Sequence, residues 1–526
     1  MTTRNGRVRS LALAALAGLV SGAVFLGVAE LLALLLARTA SPILAVGGFV
    51  IDIVPQPFKE FAIATFGAND KIALLAGLGL AVVIASAIGG VLEYLRAPLG
   101  VVIVVIAGVL STAAVVSRTG VTPLSFVPPV IGTVAASVVL VLLGRRLRRW
   151  RGAAAGESGA LDDGAPSEQA LGRRGFFRLA GVAGVSAVIV GVAARVVTAA
   201  TSSVDAIRDA LKLPAPRRAL TIPAGAELDV PGLSPLFTPN ADFYRVDTAL
   251  TVPTIDPATW RLVVDGMVDR RVELSFDELV AMGLDEYGIT LTCVSNEVGG
   301  GLLGNATWLG VPVRDILRMA GPQAGADMVL SRSIDGYTAS TPLSALTDDG
   351  LDAILAVAMN GEPLPAEHGF PVRMIVPGLY GYVSATKWLT ELKVTTFAAD
   401  EAYWTPRGYS AEAPIKLSSR VDVPKIDTPV APGTVAVAGM AWAQPVGVGR
   451  VEVNIDDTGW IPATMSTPVN DDSWVQWMHE WDATAGTHYI AVRAWNKNGE
   501  LQVQERAPIA PNGSTGWHRV LVTVSE

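Results

Sequence analysis

The chain reads as three structural classes in series: an all-α transmembrane bundle, an α+β domain and a C-terminal antiparallel β-sandwich. Three observations predict this. Almost every long apolar run lies before residue 200, strand-like and helix-like segments mix without strict alternation from Thr238 onward, and the C-terminal part alternates apolar and polar residues with a period of two. At 526 residues the chain is too long for one ordinary domain. We place a four-helix membrane region at 1–151, a linker and fifth apolar segment at 152–201, a connector at 202–237, the α+β domain at 238–425 and the sandwich at 426–526.

A helix needs roughly 20 residues to cross the hydrocarbon core. The candidate spans are Leu11–Leu35, Ile72–Leu92, Val101–Val116, Val127–Leu143 and Leu179–Val197. Between the first two, Ser41–Gly67 is apolar but broken by Asp52, Pro55, Pro57 and Lys59, which suits a loop with an interfacial or re-entrant piece. Arg4, Arg7 and Arg9 precede the first span, and Arg145, Arg146, Arg148, Arg149 and Arg151 follow the fourth. Basic residues near span ends stay cytoplasmic, and an even number of spans lets both clusters do so. Gly152–Ala170 then reads as a flexible cytoplasmic linker, after which a fifth span carries the chain out. Ahead of that span, Gly172-Arg173-Arg174-Gly175-Phe176-Phe177-Arg178-Leu179 looks like an internal twin-arginine export signal, although the same arginines also serve as positive-inside residues.

The membrane region carries little chemistry of its own. The histidines, His368, His479, His488 and His518, all lie beyond it, and before residue 200 there is no cysteine and no methionine besides Met1. No haem on ordinary ligands is therefore expected in the spans. Two carboxylates stand out. Glu93 reads as a residue snorkelling at a span end, and Glu30 as a structural pair or water contact in preference to a proton path.

Beyond the connector, Trp260-Arg-Leu-Val-Val264 is strand-like, and Val272–Gly283 carries a serine cap followed by helical spacing. In the C-terminal part, Gly433–Gly439, Arg450–Ile455, His488–Trp495 and Arg519–Val524 alternate as half-buried strands do, and an immunoglobulin-like sandwich fits them best. Trp442, Trp474, Trp477 and Trp481 suit its core better than an interface.

Cys293 is the single cysteine of the chain, so it forms no internal disulfide. It ends the apolar run Gly288–Cys293 just before the loop Val-Ser-Asn-Glu-Val-Gly-Gly-Gly, where a strand holds the thiol on a rigid element and glycines allow close approach. Packing, reactivity and metal ligation all remain open on these residues alone.

The segment Leu291–Leu317 resembles the molybdenum-ligand segment of the sulfite oxidase family. A second block, Met359–Gly378 followed by Ser384-Ala-Thr-Lys387-Trp388-Leu389, resembles the family in the same order, and the resemblance runs from about Thr238 to the C-terminus. It implies a sulfite-oxidase-like domain that binds molybdenum–molybdopterin, with Cys293 as the thiolate ligand of the metal. His368, Arg373 and Lys387 then match positions that anchor the pterin phosphate, Ala385 and Thr386 assist, and Tyr244, Arg245 and Ser333 match further cofactor contacts. Trp404-Thr-Pro-Arg407-Gly-Tyr409 resembles the segment that sets a tyrosine beside the substrate face, with Arg407 adding positive charge. The C-terminal domain is implied to dimerise.

One departure bears on substrate. Four residues after the cysteine, where sulfite oxidases carry an arginine, stands Glu297, and a reversed charge in a partly desolvated pocket weakens sulfite binding. The expected protein is thus a multi-pass bacterial membrane oxidoreductase with its catalytic domain extracytoplasmic, acting on a small sulfur or nitrogen compound. It passes electrons to or from a separate carrier, a quinone-linked membrane protein or a cytochrome. Membrane lipid and a second copy are further partners, and no nucleic acid is expected for a chain of net charge −8. Two alternatives stand beside this: a methionine-sulfoxide-type reductase for exported proteins, fed by the quinone pool, and a non-catalytic membrane scaffold.

Overall fold

A computed structural model describes residues 4–36, 41–55, 58, 61, 65–66, 70–117, 123–156, 173–186 and 204–525. The chain divides into two compact units, Met1–Ser203 with Ala249–Thr251, and Val204–Thr248 with Val252–Glu526.

In the first unit the helices are α1 (Arg4–Leu36), α2 (Pro42–Ile53), α3 (Asp70–Leu95), α4 (Leu99–Val116) and α5 (Val127–Gly156). All but α2 are long and apolar enough to cross a membrane. Small residues let their backbones meet: a Cβ on Gly90 of α3 would lie 2.1 Å from the Ala14 carbonyl oxygen of α1, and one on Gly100 of α4 2.3 Å from Gly89 O of α3. The expected loop over 41–67 thus holds a helix too short to span. Glu30 accepts the Ser41 hydroxyl at 2.9 Å and the Ile43 N–H at 3.1 Å, so its carboxylate sits on the N-terminus of α2.

Two expectations need correction. Glu93 does not snorkel: it is 2% exposed, accepts the Val101 N–H at 3.4 Å and faces Arg148 at 3.8 Å, because the crossing of α3, α4 and α5 encloses it. The linker does not begin at residue 152 either, since α5 continues through the arginine cluster to Gly156. Residues 173–186 are helical, with Phe176 buried beside Ala14, Ala17 and Leu143. The rest of the linker and of the fifth span, 157–172 and 187–197, lies outside the described residues.

The second unit opens with residues 213–237, which run without regular structure as a strap across the domain. Arg217 pairs with Asp285 at 3.0 Å, Leu220 N donates to Glu286 at 2.9 Å, and Leu228 N donates to Gln476 Oε1 at 2.6 Å. The strap is fastened at both ends rather than serving as a loose connector.

Beyond the strap, one mixed sheet has the order β2-β1-β10-β5-β6 (Val272–Ser275, Arg261–Gly266, Leu389–Thr395, Met328–Ser333, Thr338–Pro342), with β1 parallel to β10. Ser275 after β2 caps the helix Phe276–Ala281 in a reciprocal box with Glu278, as its spacing predicts. An antiparallel sheet has the order β3-β4-β7-β8 (Asp285–Thr292, Leu303–Pro312, Ile354–Met359, Glu362–Pro363), with β9 (Arg373–Ile375) on β7. β7 is buried throughout, which explains its continuous apolar run, and β3 is buried at every residue but Glu286.

The C-terminal part forms two four-stranded sheets, β11-β12-β16-β15 (Ser418–Val423, Gly433–Trp442, Val475–Ala483, Thr464–Met465) and β14-β13-β17-β18 (Trp460–Pro462, Val448–Ile455, Gly486–Asn496, His518–Val524). They share one core that includes Val437, Val453, Trp477 and Val492. The first strand, β11, starts ahead of the expected boundary at 426. Trp477 and Trp481 belong to this core as expected, whereas Trp442 and Trp474 do not: they are buried in a separate cluster with Leu303 and Tyr382 of the α+β domain.

Candidate active site

Cys293 follows the last residue of β3. Its N–H donates to Leu302 O at 2.9 Å, which ties both ends of the glycine-rich loop together at the start of β4. Cys293 is 8% exposed and lines a solvent-connected cleft. Burial pushes its proton affinity up, against hydrogen bonds from Ser295 and the charge of Lys387.

A second wall comes from the segment after the strap. Thr238 N donates to Asn305 O at 2.7 Å, and Asn360 bridges Thr238 and Asn240. Gly304 leaves room for the Phe243 ring, which a Cβ there would meet at 2.6 Å. Phe243 stacks on Tyr244 and packs edge-on against Trp308 and His368, so Tyr244 is delivered to the cleft. Burial and the Cys293 sulfur push the Tyr244 phenol far above its ordinary range, keeping it protonated.

The third wall is cationic. Arg373, at the head of β9, is 4% exposed; its Nη1 donates to His368 O at 3.1 Å and its guanidinium lies 5.2 Å from the Trp308 ring centroid. Burial lowers its pKa to about 10. Lys387 reaches Asp247 Oδ2 at 3.1 Å, and burial brings its pKa down to about 8, with Asp247 opposing the shift. Trp388, beside it, holds the left-handed backbone conformation at φ 50°. The fourth wall is aromatic. Tyr337, Tyr403, Trp404, Tyr409 and Tyr382 form a chain of ring contacts 5.2–5.6 Å between centroids. Tyr337 donates its hydroxyl to Tyr382 O at 2.8 Å and Tyr382 to Ser410 O at 2.7 Å.

The structure brings Tyr244, Cys293, Ser333, Arg373, Ala385, Lys387 and Tyr409 to the cleft lining. Four expected residues lie behind it. Arg245 is turned outward to pair with Asp247 at 2.9 Å. His368 is buried with Nε2 3.3 Å from Asn240 O, and burial with the charges of Arg373 and Lys387 lowers its pKa to about 3, so it is neutral. Thr386 turns its hydroxyl to Ser331 at 2.7 Å. Arg407 stacks on the Tyr403 ring at 3.7 Å. Arg245 thereby holds the lining residue Asp247, and His368 the lining residue Arg373. Glu297 also departs from expectation: it is exposed and lines a separate, smaller cleft with Asn296 and Trp442, because the turn at Asn296 carries it away from the thiol. Its charge is solvated, so the desolvation argument against sulfite does not apply to it.

Sequence reasoning missed Asp247, Ser295, Asp335, Tyr337 and Tyr382, all in the lining. Asp247 stood two residues from Arg245, and Asp335-Gly336-Tyr337 was legible as a hairpin turn between two strands.

The site accommodates a phosphorylated, sulfur-bound metal cofactor on its own chemistry. Ser333 Oγ, His368 Nδ1 and Arg373 Nε are buried without a hydrogen-bond partner among the described residues, whereas buried polar groups ordinarily have one. A thiol, two cations and the unsatisfied Ser333 hydroxyl in one cleft form the donor set that an anionic pterin on a thiolate-ligated metal requires, with the unsatisfied His368 Nδ1 behind them.

Comparison with known proteins agrees. Residues 249–404 match the family described as oxidoreductase molybdopterin binding domain. Sulfite oxidase of Gallus gallus is 31% identical over 336 residues, which cover 54% of this chain and 72% of that protein. Mitochondrial sulfite oxidase of Homo sapiens is 31% identical over 344 residues, 55% of this chain, and the chain spans 62% of the length of that relative. Among solved structures, the sulfane dehydrogenase SoxCD from Paracoccus pantotrophus aligns over 55% of this chain and 84% of its own at 20% identity and a TM-score of 0.48, too loose a likeness to carry an argument. With a matching binding domain and relatives at this identity, the chain belongs to the sulfite oxidase family of molybdopterin-dependent oxidoreductases.

Proposed function

We propose that this protein is a membrane-anchored enzyme that transfers an oxygen atom, with two electrons, to or from a small sulfur or nitrogen compound on the extracytoplasmic side. One observation carries the reading: the Cys293 sulfur opens into a cleft that holds the anion-binding groups Arg373, Lys387 and Ser333 as well as an aromatic wall. The bound molybdenum–pterin group supplies the two-electron oxygen-transfer chemistry. Cys293 holds the metal as thiolate, while Arg373, Lys387 and Ser333 hold phosphate through charge-assisted hydrogen bonds. Tyr409 presents its hydroxyl to the substrate oxygen and holds the proton that the oxygen needs on leaving. Trp404, Tyr382 and Tyr337 exclude water, and Arg407, stacked on Tyr403, positions the Trp404–Tyr409 turn.

Anchoring and sidedness are part of the proposal. A four-span path puts the basic ends of α1 and α5 on one side, together with Arg96 between α3 and α4. A further crossing over residues 179–197 then carries the catalytic unit outward. The C-terminal sheets follow the A-B-E-D and C′-C-F-G strand order of an immunoglobulin-like sandwich, and pairing of two copies through this domain is part of the proposal. Electrons pass to or from a separate carrier.

A second reading has its own support. With Arg373 and Lys387 committed to the cofactor, the aromatic wall offers the substrate hydroxyls and rings, and Val246 in the lining is 46% exposed. Such a surface suits a neutral sulfoxide or thioether on a peptide better than a small dianion, which is the chemistry of a methionine-sulfoxide-type reductase.

The test is metal analysis with electron paramagnetic resonance on the full-length protein, wild type beside Cys293→Ser. Stoichiometric molybdenum whose signal the substitution perturbs is the expected result. A protein matured in a competent host that holds neither molybdenum nor pterin would leave the non-catalytic scaffold in front.

A further inference from the structure

The strand and loop that carry Cys293 are held from the C-terminal part of the chain. Thr290, three residues before the cysteine on β3, accepts Gln444 Nε2 on its carbonyl at 2.8 Å and the Trp474 N–H on its hydroxyl at 2.8 Å. Beyond the cysteine the loop makes two tight turns. Asn296 N donates to Cys293 O at 3.0 Å, Gly300 N to Glu297 O at 2.8 Å, and Leu302 N returns to Asn296 Oδ1 at 2.8 Å. The carbonyl that ends each turn is taken by one side chain: Ser514 Oγ donates to Asn296 O at 2.7 Å, and Arg420 Nη1 to Gly300 O at 2.9 Å. Between them Gly299, at φ 80°, lies so close to His518 that a Cβ there would sit 2.2 Å from Nε2.

Arg420 cannot follow the loop if the loop moves. Its side chain is 11% exposed, with Nε 2.6 Å from Asp422 Oδ1 and Nη2 2.9 Å from Ser234 Oγ, so the planar fork is fixed at three corners. A loop of this glycine content loses much backbone freedom when it is ordered, and bonds to a rigid neighbour offset that loss. We infer that Ser514 and Arg420 are positioning residues for the metal ligand: by fixing the Asn296 and Gly300 carbonyls they keep the Cys293 loop in the shape that presents the sulfur to the cleft. The inference rests on the cofactor reading above for what the sulfur does there. It also orders assembly, since the thiol is presented to the cofactor only after the end of the chain has been made and has docked.

Cys293 is the only cysteine of the chain, so a thiol reagent reads this loop alone. Full-length protein in detergent, made without cofactor, is treated with iodoacetamide as wild type, Ser514→Ala, Ser514→Thr, Arg420→Lys and Thr515→Ala. Loss of one hydrogen bond makes opening of the loop about fivefold more frequent, and Ser514→Ala is expected to react faster by that factor. Arg420→Lys, which keeps a cation for Asp422 but not the fork, should also react faster, and Ser514→Thr should return to the wild-type rate. Thr515→Ala is the control, because the Thr515 hydroxyl bonds Glu505 O at 2.6 Å. In cofactor-loaded protein, Ser514→Ala should shift the molybdenum(V) resonance and Ser514→Thr restore it. Wild-type rates in both Ser514→Ala and Arg420→Lys would overturn the inference. So would equal acceleration in Thr515→Ala, which makes the effect a loosening of the C-terminal part at large. Failure of the cofactor reading looks different: the wild type matured in a competent host then holds no molybdenum, while the thiol rates keep their order.

Discussion

Lys387 Nζ lies 3.1 Å from Asp247 Oδ2 inside the cleft, and Arg245 Nε reaches the same oxygen at 2.9 Å. One carboxylate, 6% exposed, therefore compensates two cations. Breaking a buried pair by removing one partner leaves the other charge uncompensated, at about 3 kcal/mol or more. Asp247→Ala is expected to lower the unfolding free energy by about that amount, with Lys387 giving up its proton more readily. Denaturant unfolding in detergent measures it, and an unchanged midpoint would mean that water takes over the carboxylate's role.

The same lysine makes anion binding pH-dependent. Its pKa in the fold is about 8, lowered mainly by burial, so its positive charge is present below pH 8 and lost above it. Retention of pterin phosphate, or of inorganic phosphate in cofactor-free protein, should fall as pH rises through 8. In Lys387→Arg the guanidinium stays charged, and the loss should vanish. Equilibrium dialysis from pH 6.5 to 9.5 distinguishes the two.

Buried neutral histidines set the acid limit. His368 titrates at about 3 and His518 at about 4, both lowered first by burial. Each folded-state value lies below the ordinary 6.5, so the unfolded chain binds more protons between the two values. The stabilising contribution is complete above pH 6.5 and declines as pH falls toward 4. For His518 the loss reaches up to about 3 kcal/mol, one pKa unit being about 1.4 kcal/mol. His518→Asn, which keeps an acceptor for the Val421 N–H, should flatten the acid limb of an unfolding-versus-pH curve.

Glu297 gives a prediction opposite to its sequence-based one. As an exposed residue outside the Cys293 cleft, it interacts with a bound anion through screened solvent. Glu297→Arg is expected to change kcat/KM for sulfite by less than about threefold, in line with the small worth of exposed charges. A tenfold rise would place the residue against the substrate after all.

How much of this was legible follows from range along the chain. The Ser275 cap, the alternating strands β12, β13, β17 and β18 and the apolar spans are local patterns, and periodicity reveals them. Cys293, Arg373 and Lys387 were readable because a spaced motif carries them. Of the aromatic wall only Trp404 and Tyr409 were, since Tyr337 and Tyr382 come from separate segments and meet them only through the fold. Nor was the retreat of His368 and Thr386 behind the lining, which depends on which face of a short element turns inward. Glu93 misled for the same reason: its enclosure is made by two other helices.

The strap over residues 213–237 has a consequence in time. Its link from Leu228 to Gln476 spans 248 residues of sequence, and Gln476 answers with a bond to Ser234 at 2.8 Å. A ribosome that has just delivered the strap has yet to make Gln476, so Leu228 and Ser234 wait for that partner through synthesis of the whole catalytic region, while Arg217 and Leu220 meet Asp285 and Glu286 much earlier. Contacts of such separation form late. The apolar helices are therefore complete long before the unit that follows them can close.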